Sequence, residues 1–161
     1  MHTIEVPRIV EHYKDMLVDY CELLLFTQSF EQGIKQGFQV EDAMGFVEER
    51  ERRIAALKQK EAESITLRAA VCQVLGLSEF TLDNLSTKIS EDSLNALSAV
   101  MTDTKRVIEE IQEIDTRLSQ IMHMELEATK LELHRFQKAQ RIHHAYQTEN
   151  EREARFIDKT K

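Results

Sequence analysis

Residues 90–122 read SEDSLNALSAVMTDTKRVIEEIQEIDTRLSQIM. From Leu94 the apolar positions Leu97, Met101, Ile108, Ile111, Leu118 and Met122 recur at steps of three, four or seven, which marks one face of a long helix. Thr104 and Asp115 are polar interruptions of that stripe, and Met101 and Met122 are assigned to the core with it. Ser90, followed by Glu91 and Asp92, reads as a fresh N-terminus: a hydroxyl that can cap, then acids at the positive end of the helix dipole. The only proline is Pro7 and the only glycines are Gly33, Gly37, Gly45 and Gly76, so nothing after Leu77 obliges a helix to stop. Carried to Tyr146, this helix contains about 56 residues and spans roughly 84 Å at about 1.5 Å per residue. That is about twice what the preceding segments can cover, so part of it must lie outside the core.

Working backwards, Pro7 suits the first turn of a helix, where its missing N–H lacks an intrahelical partner anyway. Val10, Tyr13, Leu17, Tyr20 and Leu24 then form one stripe, widened by Met16, Leu23, Phe26 and Phe30. Gly33 and Gly37 are expected to end this first helix. Val40 to Asp42 open a second, whose stripe runs through Phe46, Val47, Ile54, Leu57 and Ile65 to Val71 and Leu75, with Gly45 in its first turns. At Leu75-Gly76-Leu77 the glycine can take the left-handed conformation that stops a helix, with Leu77 folding back toward Cys72. Either Ser78 or Thr81 can cap a short helix carrying Leu82, Leu85 and Ile89. Alternating β-branched runs bounded by turn residues are missing. The chain therefore reads as all-α: an antiparallel helical bundle or coiled coil with three long helices, a short connecting helix and an extended C-terminal helix. Residues 1–146 form one helical domain, and 147–161 a charged tail.

The 161 residues are 42% apolar, enough for one compact domain. A formal charge of −8 argues against general nucleic-acid or anionic-membrane binding, since both need a dense positive field, and favours protein partners. Cys21 and Cys72 stand alone in helical segments without paired or metal-ligand spacing, as expected of free thiols in a reducing compartment. No apolar run approaches the ~20 residues of a membrane span, and Met1-His2-Thr3-Ile4-Glu5 has no basic stretch leading into an apolar block. A cytoplasmic protein is expected.

Sites of chemistry are hard to assemble. His123 and Glu127 share a helix face, and His134, His143 and His144 follow, but a closed zinc site needs four ligands with a supporting second shell. These histidines read as solvent-facing or interface residues, so no metal is expected. Lys130, Arg135, Lys138 and Arg141 stand against Glu132 alone, yet the net charge of the chain opposes an RNA-binding face. Glu48 to Arg53 places opposite charges three or four residues apart, as on a solvated helix held by weak pairs. A phosphate loop, a nucleophile elbow and a triad-like context are all missing, so neither an enzyme nor a cofactor is expected.

One order of features adds to this reading: an amphipathic first helix, then Phe46-Val47-Glu48-Glu49-Arg50-Glu51-Arg52-Arg53-Ile54, then the Leu75-Gly76-Leu77 stop, a short helix, a long final helix and the ending Arg155-Phe156-Ile157-Asp158-Lys159. In that order the chain resembles the flagellar type III export chaperones of the FlgN type over nearly its whole length. The resemblance implies a chaperone that holds hook-associated (hook–filament junction) proteins in an export-competent state and delivers them to the export gate. It further implies a gate-docking role for a C-terminal tyrosine, carried here by Tyr146. The chain departs from the pattern at Gln147 to Ala154, which is charged and helix-compatible where a loose linker is usual.

The residues themselves supply candidate binding positions. After Met122 the large apolar side chains of the last helix thin out, and Met124, Leu131, Phe136 and Ile142 are expected to contact a client. Phe156 and Ile157 form a lone apolar pair among charges, either a frayed end or a linear anchor that folds on binding. Two rivals share these features: the related FliT-type filament-cap chaperones, and a client-free helical protein that self-associates, as a homodimer for instance, through its last helix.

Overall fold

A computed structural model describes residues 5–157, with side chains at 6–39 and 41–148. Its helices are α1 (Glu5–Lys35), α2 (Val40–Leu75), the single-turn α3 (Leu82–Ser86) and the 67-residue α4 (Glu91–Ile157), and no strand occurs among the described residues. The fold is all-α. A boundary after Thr116 divides the chain into two compact units, so α4 contributes its first part to one and its remainder to the other.

Both reversals of direction follow from glycine. Gly37 takes φ 81°, its N–H bonds to the Ile34 carbonyl at 3.1 Å, and the Phe38 N–H reaches the Gly33 carbonyl at 3.1 Å. Gly76 repeats the device at the end of α2, with φ 66° and the Leu77 N–H on the Cys72 carbonyl at 2.9 Å. These are left-handed helix stops in which the two residues past the helix satisfy its last carbonyls. Gly33 does not end α1 as expected. It lies buried inside the helix, where a Cβ would sit 2.1 Å from the Phe38 ring. Its bare backbone is what lets that ring fold over the helix end. Thr81, rather than Ser78, caps α3 by accepting from the Asn84 N–H at 3.2 Å, and the Ser90 hydroxyl accepts from the Ser93 N–H at 3.3 Å at the start of α4.

The core of the first unit is built from all four helices. Ile9, Val10, Met16 and Leu23 of α1 join Leu57 and Val71 of α2, Leu85 of α3, and Leu97, Val100, Val107 and Ile111 of α4. Four expected core positions fail, two on α4 and two on α2. Met101 is 36% exposed, because the buried stripe of α4 passes one residue earlier, through Val100 and Val107. Met122 is 53% exposed, beyond Leu118, the last buried side chain among the described residues. On α2 the side chains of Val47 and Ile65 also face solvent, and Ser64 occupies the inward position beside Ile65. Leu17, Leu24 and Ile54 are only partly buried against the core. Among the described residues no helix is long and apolar enough to cross a membrane.

Candidate functional site

The polar contacts of the first unit hold helices together. His12 Nε2 on α1 lies 2.8 Å from Ser64 Oγ and 3.0 Å from the Lys60 carbonyl on α2. A serine and a histidine at this distance are the beginning of a nucleophile–base pair. Here, however, the Ser64 hydroxyl also meets the Lys60 carbonyl of its own helix (3.0 Å) and Met16 Sδ of α1 (3.1 Å), and the residue is 3% exposed. It is a buried tie between α1 and α2. One turn along, Tyr20 donates to the Glu61 carboxylate; burial first, then this bond and the carboxylate's charge, push the phenol far above its ordinary range. Lys60 bonds to Asp19 at 2.5 Å, which raises the ammonium above its usual value.

The run from Glu48 to Arg53 does more than solvate α2. Arg53 pairs with Glu49 at 2.9 Å along the helix, as the spacing predicts, but its guanidinium also lies 5.0 Å from the centroid of Phe26 on α1. Arg50 reaches across to Asp115 of α4 at 2.7 Å. Sequence spacing could not reveal these partners. Beside them, Phe46 stacks on Phe30 with centroids 5.3 Å apart and tilts against Phe26 (5.0 Å) and Phe38 (5.3 Å). The four rings close the α1–α2 turn and leave an open groove next to it. The clue legible beforehand is Gly37-Phe38, a helix stop followed by an aromatic residue.

The second unit, considered by itself, carries its own exposed apolar surface. All four residues expected to contact a client are exposed, with Met124 at 72% and Phe136 at 60%, and so is Tyr146 at 64%. They do not share one face. At about 100° per residue, Met124, Leu131 and Ile142 project within about 20° of one another and Tyr146 within about 60° of them. Phe136 lies about 120–140° around the helix, within an arc of about 80° that also holds Met122, Leu126 and Leu133. All of these are exposed as well. This part of α4 thus carries two apolar faces pointing nearly opposite ways. Leu126 and Leu133 belong to the second face, which the 3.6-residue period reveals once each position is placed by angle.

The charged segment from Gln147 continues as helix to Ile157. Phe156 and Ile157, the expected tail anchor, lie outside the described side chains, and Asp158 and Lys159 outside the described residues. His123 and Glu127 gain no further ligand: among the described residues no group of three metal-ligating side chains converges. Comparison with family models, with curated proteins and with solved structures returned no match to this chain.

Proposed function

We propose that this protein is a cytoplasmic, non-enzymatic export chaperone of the FlgN type, which binds hook-associated proteins along α4 and hands them to the flagellar type III export gate. The observation that carries the reading is the exposed apolar surface of α4 beyond Leu118: Met122, Met124, Leu126, Leu131, Leu133, Phe136, Ile142 and Tyr146 all face solvent. Large apolar side chains gathered on a helix mark a surface that expects company. An amphipathic client helix laid along either face would bury several of them, at about 1.5–3 kcal/mol for each fully covered, enough for reversible holding. The order of sequence features, ending in Arg155-Phe156-Ile157-Asp158-Lys159, directs the choice of client, and Tyr146 is the residue assigned to gate docking.

Titration of the purified chain with a hook–filament junction protein tests this reading. A one-to-one complex that Met124→Ser with Ile142→Ser weakens at least about tenfold, roughly 1.4 kcal/mol, supports it. Failure of every hook–filament junction protein, and of the filament cap, to bind rejects it. A self-associating helical protein is the second reading, favoured by the opposed placing of the two apolar faces, since one client helix covers one face. Light scattering separates the two: a dimer that persists on dilution and takes no client supports self-association.

A further inference from the structure

We propose that the groove at the α1–α2 turn docks a short segment of another protein that combines arginine or lysine with apolar side chains. The groove encloses about 480 Å³ and is lined by Phe26, Phe38 and Phe46, with Glu41, Asp42 and Glu49 around it. This falls in the size range that holds a few side chains. The aromatic floor has already attracted one cation, since the Arg53 guanidinium sits over Phe26 at 5.0 Å. Glu49 is engaged by Arg52 at 2.6 Å and Arg53 at 2.9 Å. Glu41 and Asp42 are exposed and take part in no ion pair among the described residues. Ring faces with two free carboxylates at the rim complement a cation flanked by apolar groups.

The acids alone would not carry this, because in the first turn of α2 they also complement the helix dipole. Gly45 is the independent observation. A glycine inside a helix weakens it relative to alanine, and here a Cβ would meet nothing within 4 Å, so no internal packing explains the missing side chain. It opens the groove wall for something that approaches the backbone from outside. A second copy of this chain is a poorer occupant, because a formal charge of −8 complements an acidic rim less well than a basic segment does. A basic partner segment is attracted by the same field.

Fluorescence anisotropy with the full chain and three labelled synthetic peptides, leucine alternating with arginine, glutamine or glutamate, tests the proposal. The arginine peptide should bind saturably, about tenfold or more tighter than the glutamine peptide, while the glutamate peptide should not bind. Glu41→Lys with Asp42→Lys should reduce binding at least about tenfold, and so should Gly45→Leu, whose melting temperature should not fall. Ile142→Ser, on the surface proposed for the client, should leave peptide affinity unchanged, so this result is independent of the chaperone reading. Equal affinity for arginine and glutamine peptides, or insensitivity to Gly45→Leu, overturns the proposal. So does a concentration-dependent dimer, seen by sedimentation, that Gly45→Leu disrupts, since the groove would then belong to a second copy.

Discussion

A single guanidinium nitrogen of Arg50, Nη2 on α2, lies 2.7 Å from both carboxylate oxygens of Asp115 on α4, while Nε of the same group points at Thr27 Oγ1 on α1, 3.4 Å away. Thr27 is fully buried and gives its own hydroxyl proton to the Leu23 carbonyl at 2.8 Å. One side chain therefore links three helices and adds a restraint on their register. Because Asp115 keeps 41% of its side chain in solvent, the pair is screened well below the strength of a buried one. We expect a coupling energy of about 1 kcal/mol from a double-mutant cycle of Arg50→Ala and Asp115→Ala in urea, falling at high salt. Coupling indistinguishable from zero would show that the contact does not set the register.

Gly33→Ala and Gly45→Ala should move stability in opposite directions. Both replacements gain the helix preference for alanine, about 0.5–1 kcal/mol. At Gly45 the new methyl group meets nothing, so the gain should stand. At Gly33 it would lie 2.1 Å from the Phe38 ring, which must leave its place beside Phe46. A net loss of about 1–2 kcal/mol is expected there. Thermal unfolding of the two variants decides, and a stabilised Gly33→Ala would mean that Phe38 does not need the bare backbone.

These contrasts also show which features the residues announce by themselves. The stop at Leu75-Gly76-Leu77 was legible because its chemistry is local: a glycine able to adopt φ 66° and an apolar residue after it. Ser64 was not, because its inward position depends on His12, 52 residues away, and polarity at that point reads as a solvent face. Asp115 looked like an interruption of the α4 stripe for the same reason, its partner being 65 residues earlier. Met101 misleads by its size, since the smaller Val100 and Val107 lie in the phase that reaches the core. Conversely, the separation of Phe136 from Ile142 needed no structure, only the angle per residue.

Within the core, Leu97 is fully buried, whereas Met101 is 36% exposed. Leu97→Ala should cost about 2–5 kcal/mol, and Met101→Ala less than about 1 kcal/mol. Leu57→Ala and Ile111→Ala belong with the first, while Leu17→Ala, only partly buried, should fall between the two. Equal losses at Leu97 and Met101 by equilibrium denaturation would mean that the buried stripe of α4 includes Met101.

Alkaline pH should destabilise the protein through its buried tyrosines. Burial raises Tyr13, with Arg68 opposing it, and burial together with Glu61 raises Tyr20 further. In the unfolded chain both phenols ionise near pH 10, at their ordinary value. Below that pH the stability is fully present. Above it the unfolded state releases protons that the folded state retains, so stability falls as pH rises from about 10 toward the folded-state values. Tyr20→Phe should flatten this decline above about pH 10, with Tyr13→Phe adding a smaller effect. Melting temperatures across that range test it, and an unchanged slope in Tyr20→Phe would remove this tyrosine as the cause.

The two faces of α4 make the last prediction separable. Met124 and Ile142 are 18 positions apart and so project in nearly the same direction, with Leu131 between them. Leu133 and Phe136 project from the other arc. Because all of these side chains are exposed, Met124→Ser with Ile142→Ser, and separately Leu133→Ser with Phe136→Ser, should each change unfolding free energy by no more than about 0.5 kcal/mol per substitution. Their effects on partners should differ. If a client helix occupies one face, one pair abolishes binding and the other spares it. If the opposed faces serve self-association together, both pairs shift the sedimentation coefficient toward the monomer. Calorimetric titration with a hook–filament junction protein, run beside sedimentation of each variant, reads both outcomes. Loss of folding in either pair would instead place that face inside the protein's own core and move the client site elsewhere.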